Sequence, residues 1–304
     1  MSDVPEVTYR PIAVTSKIHR AAYPAISPSR PELSQAGKTI LITGGSAGIG
    51  FAIAVAFGHA AADRVIIVGR DQSKLDKSTK ELAKKCHASK TVFEGLCCQL
   101  ANPASIDTLW DNLDARETQV DVLVLNAAAQ TDQHGKMGTL GWEKVWSAFE
   151  INVRCLHQFS ERMWKQALGS RNKKYIVNVS ACAIHDFPTA DFSPSYALTK
   201  NSGTLLLQQL AREWHSSDIQ IVSFHPGAVY TPAAEGFGLK EDSLSWDDGS
   251  LPGSVAVWAA SDEAAFLHGR FIWSAWDVDE LRSGKLKERL ENDDKFLRIG
   301  VHGL

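Results

Sequence analysis

Tyr196 and Lys200 stand four residues apart in the segment Tyr196-Ala197-Leu198-Thr199-Lys200. On a helix that spacing puts both side chains on one face. A phenol with an ordinary pKa of about 10 is a poor acid–base group at neutral pH. A neighbouring ammonium and the positive end of a helix both favour the phenolate. A helix starting near Pro194 sets Tyr196 in its first turn. The pair therefore predicts a tyrosine moved toward the range useful for proton transfer. Lys200 could also bond a ribose hydroxyl. The same spacing occurs in ordinary surface pairs, so the rest of the chain has to decide.

The second constellation is Thr43-Gly44-Gly45-Ser46-Ala47-Gly48-Ile49-Gly50. It lies between an apolar run ending at Thr43 and a helix with small residues around Ile49–Ala60. Gly44 permits a tight turn, Gly48 admits a pyrophosphate to the backbone, and Gly50 lets the helix pack close to a sheet. Ser46 and Ile49 share the loop and count with the glycines as cofactor-holding positions. The helix start presents free N–H groups and a positive dipole end to phosphates. About 20 residues on, an NAD site carries an acid for the ribose hydroxyls. Here the segment reads Val68-Gly69-Arg70-Asp71. Gly69 leaves room, and Arg70 can pair with a 2′-phosphate and stack on adenine. NADP is favoured, with NAD as the other option.

These residues need a scaffold. Short apolar runs near 38–43, 65–68, 91–99, 121–126, 175–180, 219–224 and 270–273 alternate with helical patterns. The helices fall near 49–60, 73–87, 103–115, 141–168, 195–214 and 252–261. Such alternation predicts an α/β fold, a Rossmann-type doubly wound parallel sheet of about seven strands with helices on both faces. Residues 1–37, with Pro24, Pro28 and Pro31, read as an extended arm over the surface or partly disordered. Residues 38–280 form the domain, with a substrate loop at 230–250. Residues 281–304 form a charged C-terminal extension without further placement.

The chain has 304 residues and a formal net charge of −3. No basic field exists to hold nucleic acid or an anionic membrane. Lys84-Lys85 and Lys173-Lys174 read as solvated charge. The five cysteines, Cys86, Cys97, Cys98, Cys155 and Cys182, are odd in number and irregular in spacing. They suggest reduced thiols in a cytoplasmic protein, without a disulfide framework or a metal site. No apolar run approaches the ~20 residues of a membrane span. The N-terminus has no apolar stretch of signal-peptide type.

Taken together, the glycine loop, Leu125-Asn126-Ala127-Ala128, Asn152, Tyr196/Lys200 and Pro226-Gly227 come in the order and spacing of the short-chain dehydrogenase/reductases. The resemblance covers about 38–280. The tail from Phe266 through Asp279 resembles a branch common in filamentous fungi. The resemblance implies that Tyr196 gives a proton to a carbonyl, or takes one from an alcohol, and that Lys200 lowers its pKa and binds ribose. It implies that Asn152 holds a water relaying protons from Lys200. Asn126 would stabilise the sheet beside the adenosine half, and Val229 and Thr231 would fix the nicotinamide carboxamide.

Three positions depart from the family pattern. Gln99, in Cys98-Gln99-Leu100, stands where the family has an adenine-contacting Asp, and an amide can still bond the adenine edge. Leu100 belongs to the same cofactor wall. Ala128 replaces a glycine. Ala181 replaces the catalytic Ser, and strand alternation turns the preceding Ser180 to the opposite face. Losing one donor to a developing oxyanion costs about 2.7–4 kcal/mol of barrier. Either a shifted loop brings Ser180 into place, or Cys182, His185 or Ser193 substitutes, or the chemistry tolerates the loss.

The loops near 128–140, 181–195 and 230–250 carry Met137, Phe187, Phe192, Tyr230, Phe237 and Trp246. They suggest a small, fairly apolar organic substrate such as a cyclic ketone or alcohol, a secondary metabolite being one candidate. The same aromatics could simply close a lid. His185-Asp186 reads as solvated loop charge, with acid–base work the sharper alternative. The leading function is an NADP(H)-dependent oxidoreductase on a carbonyl/alcohol pair. A non-redox isomerase, lyase or cyclase is the alternative, and a non-catalytic dinucleotide-binding protein the third. The amphipathic helices at 141–168 and 195–214 suggest a homodimer or homotetramer.

Overall fold

A computed structural model of the chain describes residues 11–130, 136–168, 172–186 and 193–301. Seven strands run Thr39–Thr43 (β1), Arg64–Gly69 (β2), Val92–Cys97 (β3), Val122–Leu125 (β4), Lys174–Val179 (β5), Ile219–His225 (β6) and Arg270–Trp273 (β7). All pair in parallel, in the order β3-β2-β1-β4-β5-β6-β7. The order reverses between β1 and β4, which opens a crevice at their carboxyl ends. Ile40 pairs with Val65 on one side and Val122 on the other, so the two halves meet in register at β1.

Central strands are buried on both faces and read as continuous Val/Ile/Leu runs. One face packs on helices α1 (Gly48–His59) and Ser250–Ala259. The other packs on α3 (Pro103–Ala115), the Cys155–Ala167 helix and the Pro194–Glu213 helix. Between α1 and α3 lies α2 (Gln72–Lys85), N-capped by Asp71, whose carboxylate accepts the Lys74 N–H. The edge strand β3 is half-exposed and carries an Arg64–Glu94–Arg116 ion network.

Two expectations change. The 141–168 helix is not uniform. It runs as Trp142–Phe149, a π-helical turn Glu150–Arg154, and Cys155–Ala167. The wider turn shifts the register by one residue and carries Asn152. The N-terminal arm is also more than a surface cover. Pro24 and Pro31 start two 3₁₀ turns, and Ile26 and Leu33 are fully buried in the core. The arm meets the chain's last third through Trp276 Nε1–H to the Ile12 carbonyl, His19 to Asp277, and Tyr23 to Trp276 and Val278.

The C-terminal segment is anchored as well. The Arg270 guanidinium donates to the carbonyls of Leu290, Asp293 and Phe296. Gln208 and Ile299 exchange two hydrogen bonds. Among the described residues no helix is long and apolar enough to cross a membrane. No cluster of three metal-ligating side chains occurs among them either.

Candidate active site

The glycine loop leaves β1 with Gly44 at φ +68° and Gly48 at φ +54°, both left-handed conformations that favour glycine. Gly44 N–H bonds the Val68 carbonyl, tying the loop to β2. Thr43 Oγ1 accepts the N–H groups of Asn126 and Ala127, and Asn126 Nδ2 donates to the Thr43 and Gly44 carbonyls. Asn126 thus laces the ends of β1 and β4 together.

Gly50 has a different reason from the expected one. A Cβ there would lie 2.3 Å from the Gly44 carbonyl oxygen and 2.5 Å from Asn126 Nδ2. The crowding comes from the loop and from Asn126 at the end of β4. Gly45, which the spacing argument passed over, is equally constrained, since its Cβ would meet Ile67 at 2.5 Å. The α1 N-cap, Ala47, offers no side-chain bond to the first helical turn. Those N–H groups face the crevice where an anion would sit.

A cleft of about 510 Å³ runs from this helix start to the C-terminal ends of β5 and β6. Its wall brings together Gly48, Ile49, Gly50, Asn126, Ser180, Tyr196, Lys200 and Thr231. Ala47, Ala128, Gln130, Val179, Pro226, Pro232, Ala233, Gly236 and Phe237 complete it. Of these additions, only Val179 lay outside the motifs and loops that the sequence pattern singles out. Gly44, Ser46, Arg70, Gln99, Leu100, Asn152 and Val229 lie off that wall. Arg70 is exposed just beyond β2, with Gln99 Nε2 against its carbonyl at 3.5 Å. Ser46 Oγ would be 3.7 Å from a Cβ at Gly69. The Leu100 carbonyl accepts from Arg154.

Tyr196 and Lys200 sit on the first two turns of the Pro194–Glu213 helix, with Tyr196 half-buried and Lys200 buried. The Lys200 ammonium donates to the Val179 carbonyl. The expected lowering of the Tyr196 pKa does not occur in this structure. Burial raises it above the ordinary phenol value, and the nearby Cys182 adds to the rise. Removal of the phenol from water is the larger of the two causes.

Burial pushes Lys200 the other way, down to about 8. The unfolded chain holds that proton up to its ordinary value of 10.5. Folding therefore carries the full penalty below pH 8 and loses it as pH rises toward 10.5. Lys200→Met is expected to raise the melting temperature at pH 7. The gain should shrink steadily in melts at pH 9 and 10.5.

The Asn152 side chain is fully engaged within the protein. Its Oδ1 accepts the Ala129 N–H at 2.8 Å, and its Nδ2 donates to the Ala129 carbonyl at 2.7 Å and Thr199 Oγ1 at 2.9 Å. The side chain clamps the segment after β4 to the tyrosine helix.

Ser180 Oγ and Thr204 Oγ1 share a hydrogen bond at 2.6 Å, and Thr204 Oγ1 also bonds the Lys200 carbonyl. Ala181 instead packs with Ala183, Ala197 and Tyr196. The Ala181 methyl thus packs beside the tyrosine, while Ser180 lines the cleft with it.

On the substrate side, Phe237 lines the cleft and Tyr230 packs on Trp246 with ring centroids 5.3 Å apart. Met137 is partly exposed, at 36%. Phe187 and Phe192 lie outside the described residues. His185 is not solvated loop charge. It is half-buried, accepts the Trp273 indole N–H at 3.0 Å and packs edge-on to Phe271. Thr231 Oγ1 caps the Pro232–Gly236 turn, and Val229 bridges to Asp247.

The doubly wound sheet, with its crevice at the strand reversal, defines a Rossmann-type oxidoreductase scaffold. A family model described as short chain dehydrogenase matches residues 38–242. The short chain dehydrogenase/reductase nsrO of Aspergillus novofumigatus is 34% identical over 269 residues, covering 87% of this chain and 89% of the relative. The short chain dehydrogenase/reductase AacuD of Aspergillus aculeatus is 34% identical over 288 residues, covering 94% and 96%. The structure of the Pseudomonas aeruginosa RhlG/NADP active-site complex superposes with a TM-score of 0.71 at 20% identity, covering 80% of this chain and 97% of that one. The chain belongs to the short-chain dehydrogenase/reductase family of oxidoreductases, which bind NAD or NADP.

Proposed function

We propose that the protein is an NADP(H)-dependent oxidoreductase that interconverts a carbonyl and an alcohol on a small, fairly apolar organic molecule, with Tyr196 as the proton donor and acceptor. One observation carries the reading: a single cleft holds the uncapped start of α1, the Tyr196 phenol and the Lys200 ammonium. Relatives of this chain are fungal short chain dehydrogenase/reductases, and a secondary metabolite stands as one candidate substrate.

The residues present fit a dinucleotide. A Cβ at Gly48 would already press on Thr231 at 3.1 Å, so the backbone alone can approach a pyrophosphate there. Gly44, Gly48, Ile49 and Gly50 would hold the diphosphate, with Ser46 and Arg70 at the 2′-phosphate and Gln99 and Leu100 beside the adenine. Asn126 keeps the loop in shape. Val229 and Thr231 would orient the carboxamide. The bound dinucleotide supplies or accepts the hydride.

In the reducing direction, Tyr196 gives its phenolic proton to the oxygen of the carbonyl. Burial keeps that proton on the phenol at neutral pH, which suits a donor. Lys200 provides positive charge behind it. Asn152 acts by holding the Ala129 segment and the tyrosine helix together. With Ser180 engaged by Thr204 and Ala181 toward Tyr196, this wall offers the oxygen one fewer donor. A missing donor adds about 2.7–4 kcal/mol to the barrier. The reading therefore favours carbonyls that are already activated within the substrate.

The same methyl at Ala181 favours one other reading, a non-redox isomerase or lyase that keeps Tyr196 for proton transfer alone. The deciding experiment mixes purified protein, NADPH and a panel of cyclic ketones. Loss of the reduced nicotinamide absorbance, dependent on substrate, is expected. Substrate conversion without that loss would support the non-redox reading instead.

The five free cysteines, one of them exposed, fit a reducing compartment such as the cytoplasm. A second copy of the chain is the proposed partner. Trp142 and Trp146 stand one turn apart and are 73% and 58% exposed, and Leu198 on the tyrosine helix is 40% exposed. Covering these faces by a homodimer or homotetramer removes apolar area from water. Sedimentation at dimer mass or above is expected, and a monomer profile at micromolar concentration would overturn this part.

A further inference from the structure

We infer that Asp247 and Arg20 form a positioning clamp in which the N-terminal arm sets the base of the 227–249 loop that follows Pro226-Gly227. The inference rests on the reading of the cleft as a dinucleotide site. It adds two residues that lie outside the region matched by the family model, residues 38–242.

The clamp begins at Gly227, where φ is +89° and a Cβ would lie 2.5 Å from Asp247 Oδ2. The carboxylate packs directly under the turn. The Ala228 N–H donates to Asp247 Oδ2 at 2.9 Å, and the Asp247 N–H donates to the Ala228 carbonyl at 2.6 Å. Val229 and Asp247 form a parallel bridge. Both ends of the loop are therefore pinned together, as in compact surface loops with closely spaced ends. The pinned end leads straight to Thr231 and Pro232 on the cleft wall.

The Asp247 side chain is fully buried, and a buried carboxylate requires compensating charge. Arg20 of the arm supplies it, with Nε 3.1 Å from Oδ1. Two further bonds hold the arm at this place: Asp248 N–H to the Arg20 carbonyl at 2.7 Å and Ala22 N–H to Ser250 Oγ at 3.2 Å. On either side of Arg20 and Ala22, His19 bonds Asp277 and Tyr23 bonds the Trp276 carbonyl. A rigid arm thus carries one cation to the loop base.

The test compares Arg20→Met, Arg20→Lys and Arg30→Met in the full chain. Arg30 belongs to the same arm but pairs with Glu263, on the short 3₁₀ segment Asp262–Leu267 between the Ser250–Ala259 helix and β7. Two quantities are read. The first is the rate of trypsin cleavage after the exposed Lys240 without any dinucleotide. The second is NADPH affinity by fluorescence titration. Arg20→Met is expected to raise both the cleavage rate and the NADPH Kd roughly tenfold, as the buried carboxylate loses its counter-charge. Arg20→Lys should restore most of each. Arg30→Met should lower the melting temperature without moving either. Equal behaviour of Arg20→Met and Arg30→Met would overturn the clamp. If the unaltered protein bound no NADPH, the dinucleotide reading would fall, while the cleavage comparison would still decide the clamp.

Discussion

Tyr196→Phe is expected to keep dinucleotide affinity within about twofold and to lose turnover by roughly 10²–10⁴-fold, the range for removing a positioned acid–base group. The phenyl ring retains the packing against Ala181, Ala183 and Ala197, so the wall keeps its shape. Lys200 does not depend on the phenol for its place, because its ammonium bonds the Val179 carbonyl. What disappears is the proton. Steady-state kinetics on a substrate found in the ketone panel, with a parallel NADPH titration, separates the two effects. Turnover equal to that of the unaltered protein would move the proton transfer to another group, with Cys182, beside the phenol, the first to consider.

Arg70→Ala should weaken NADPH roughly 10- to 150-fold and leave NADH within about twofold, since a hydrogen bond to a charged group contributes about 1.5–3 kcal/mol. The argument is local. β2 ends at Gly69, which has no side chain to carry an acid, and Arg70 stands exposed one residue later. Its guanidinium is free to reach a phosphate on the ribose without first breaking a buried ion pair. Paired titrations with both dinucleotides check the outcome. Equal losses for the two would mean that Arg70 contacts adenine or diphosphate and not the 2′-phosphate.

Much of the scaffold was legible because periodicity is a strong signal in buried parallel sheets. β7 at Arg270–Trp273 and the helix at Pro103–Ala115 fall where the residue pattern puts them. The Asn102 cap before Pro103 marks that helix start directly. The π turn at Glu150–Arg154 was not legible, because one extra residue per turn leaves an amphipathic pattern looking like a plain helix. Nor was the Asn152 clamp, since an asparagine's partners across 23 residues of chain cannot be read from spacing.

In the candidate site, Ser180 bonds Thr204 and lines the cleft, while Ala181 packs beside Tyr196. The direction of the Tyr196 shift was misjudged. Spacing reveals the neighbouring lysine but not how far the phenol is removed from water, and the second effect is the larger one. The arm was the largest gap, because its partners lie some 260 residues away.

That distance has a consequence for synthesis. Ser16 and Lys17 bond Glu280, and Ile18 pairs with Trp276. A chain emerging from the ribosome makes these arm residues long before their partners at 276–280 exist. Ile26 and Leu33 join one apolar cluster that also holds Trp258, Trp276 and Val278. Closure of the arm thus waits for residues 276–280 to be made and carries long loop-closure entropy. Until then the arm is exposed to chaperones.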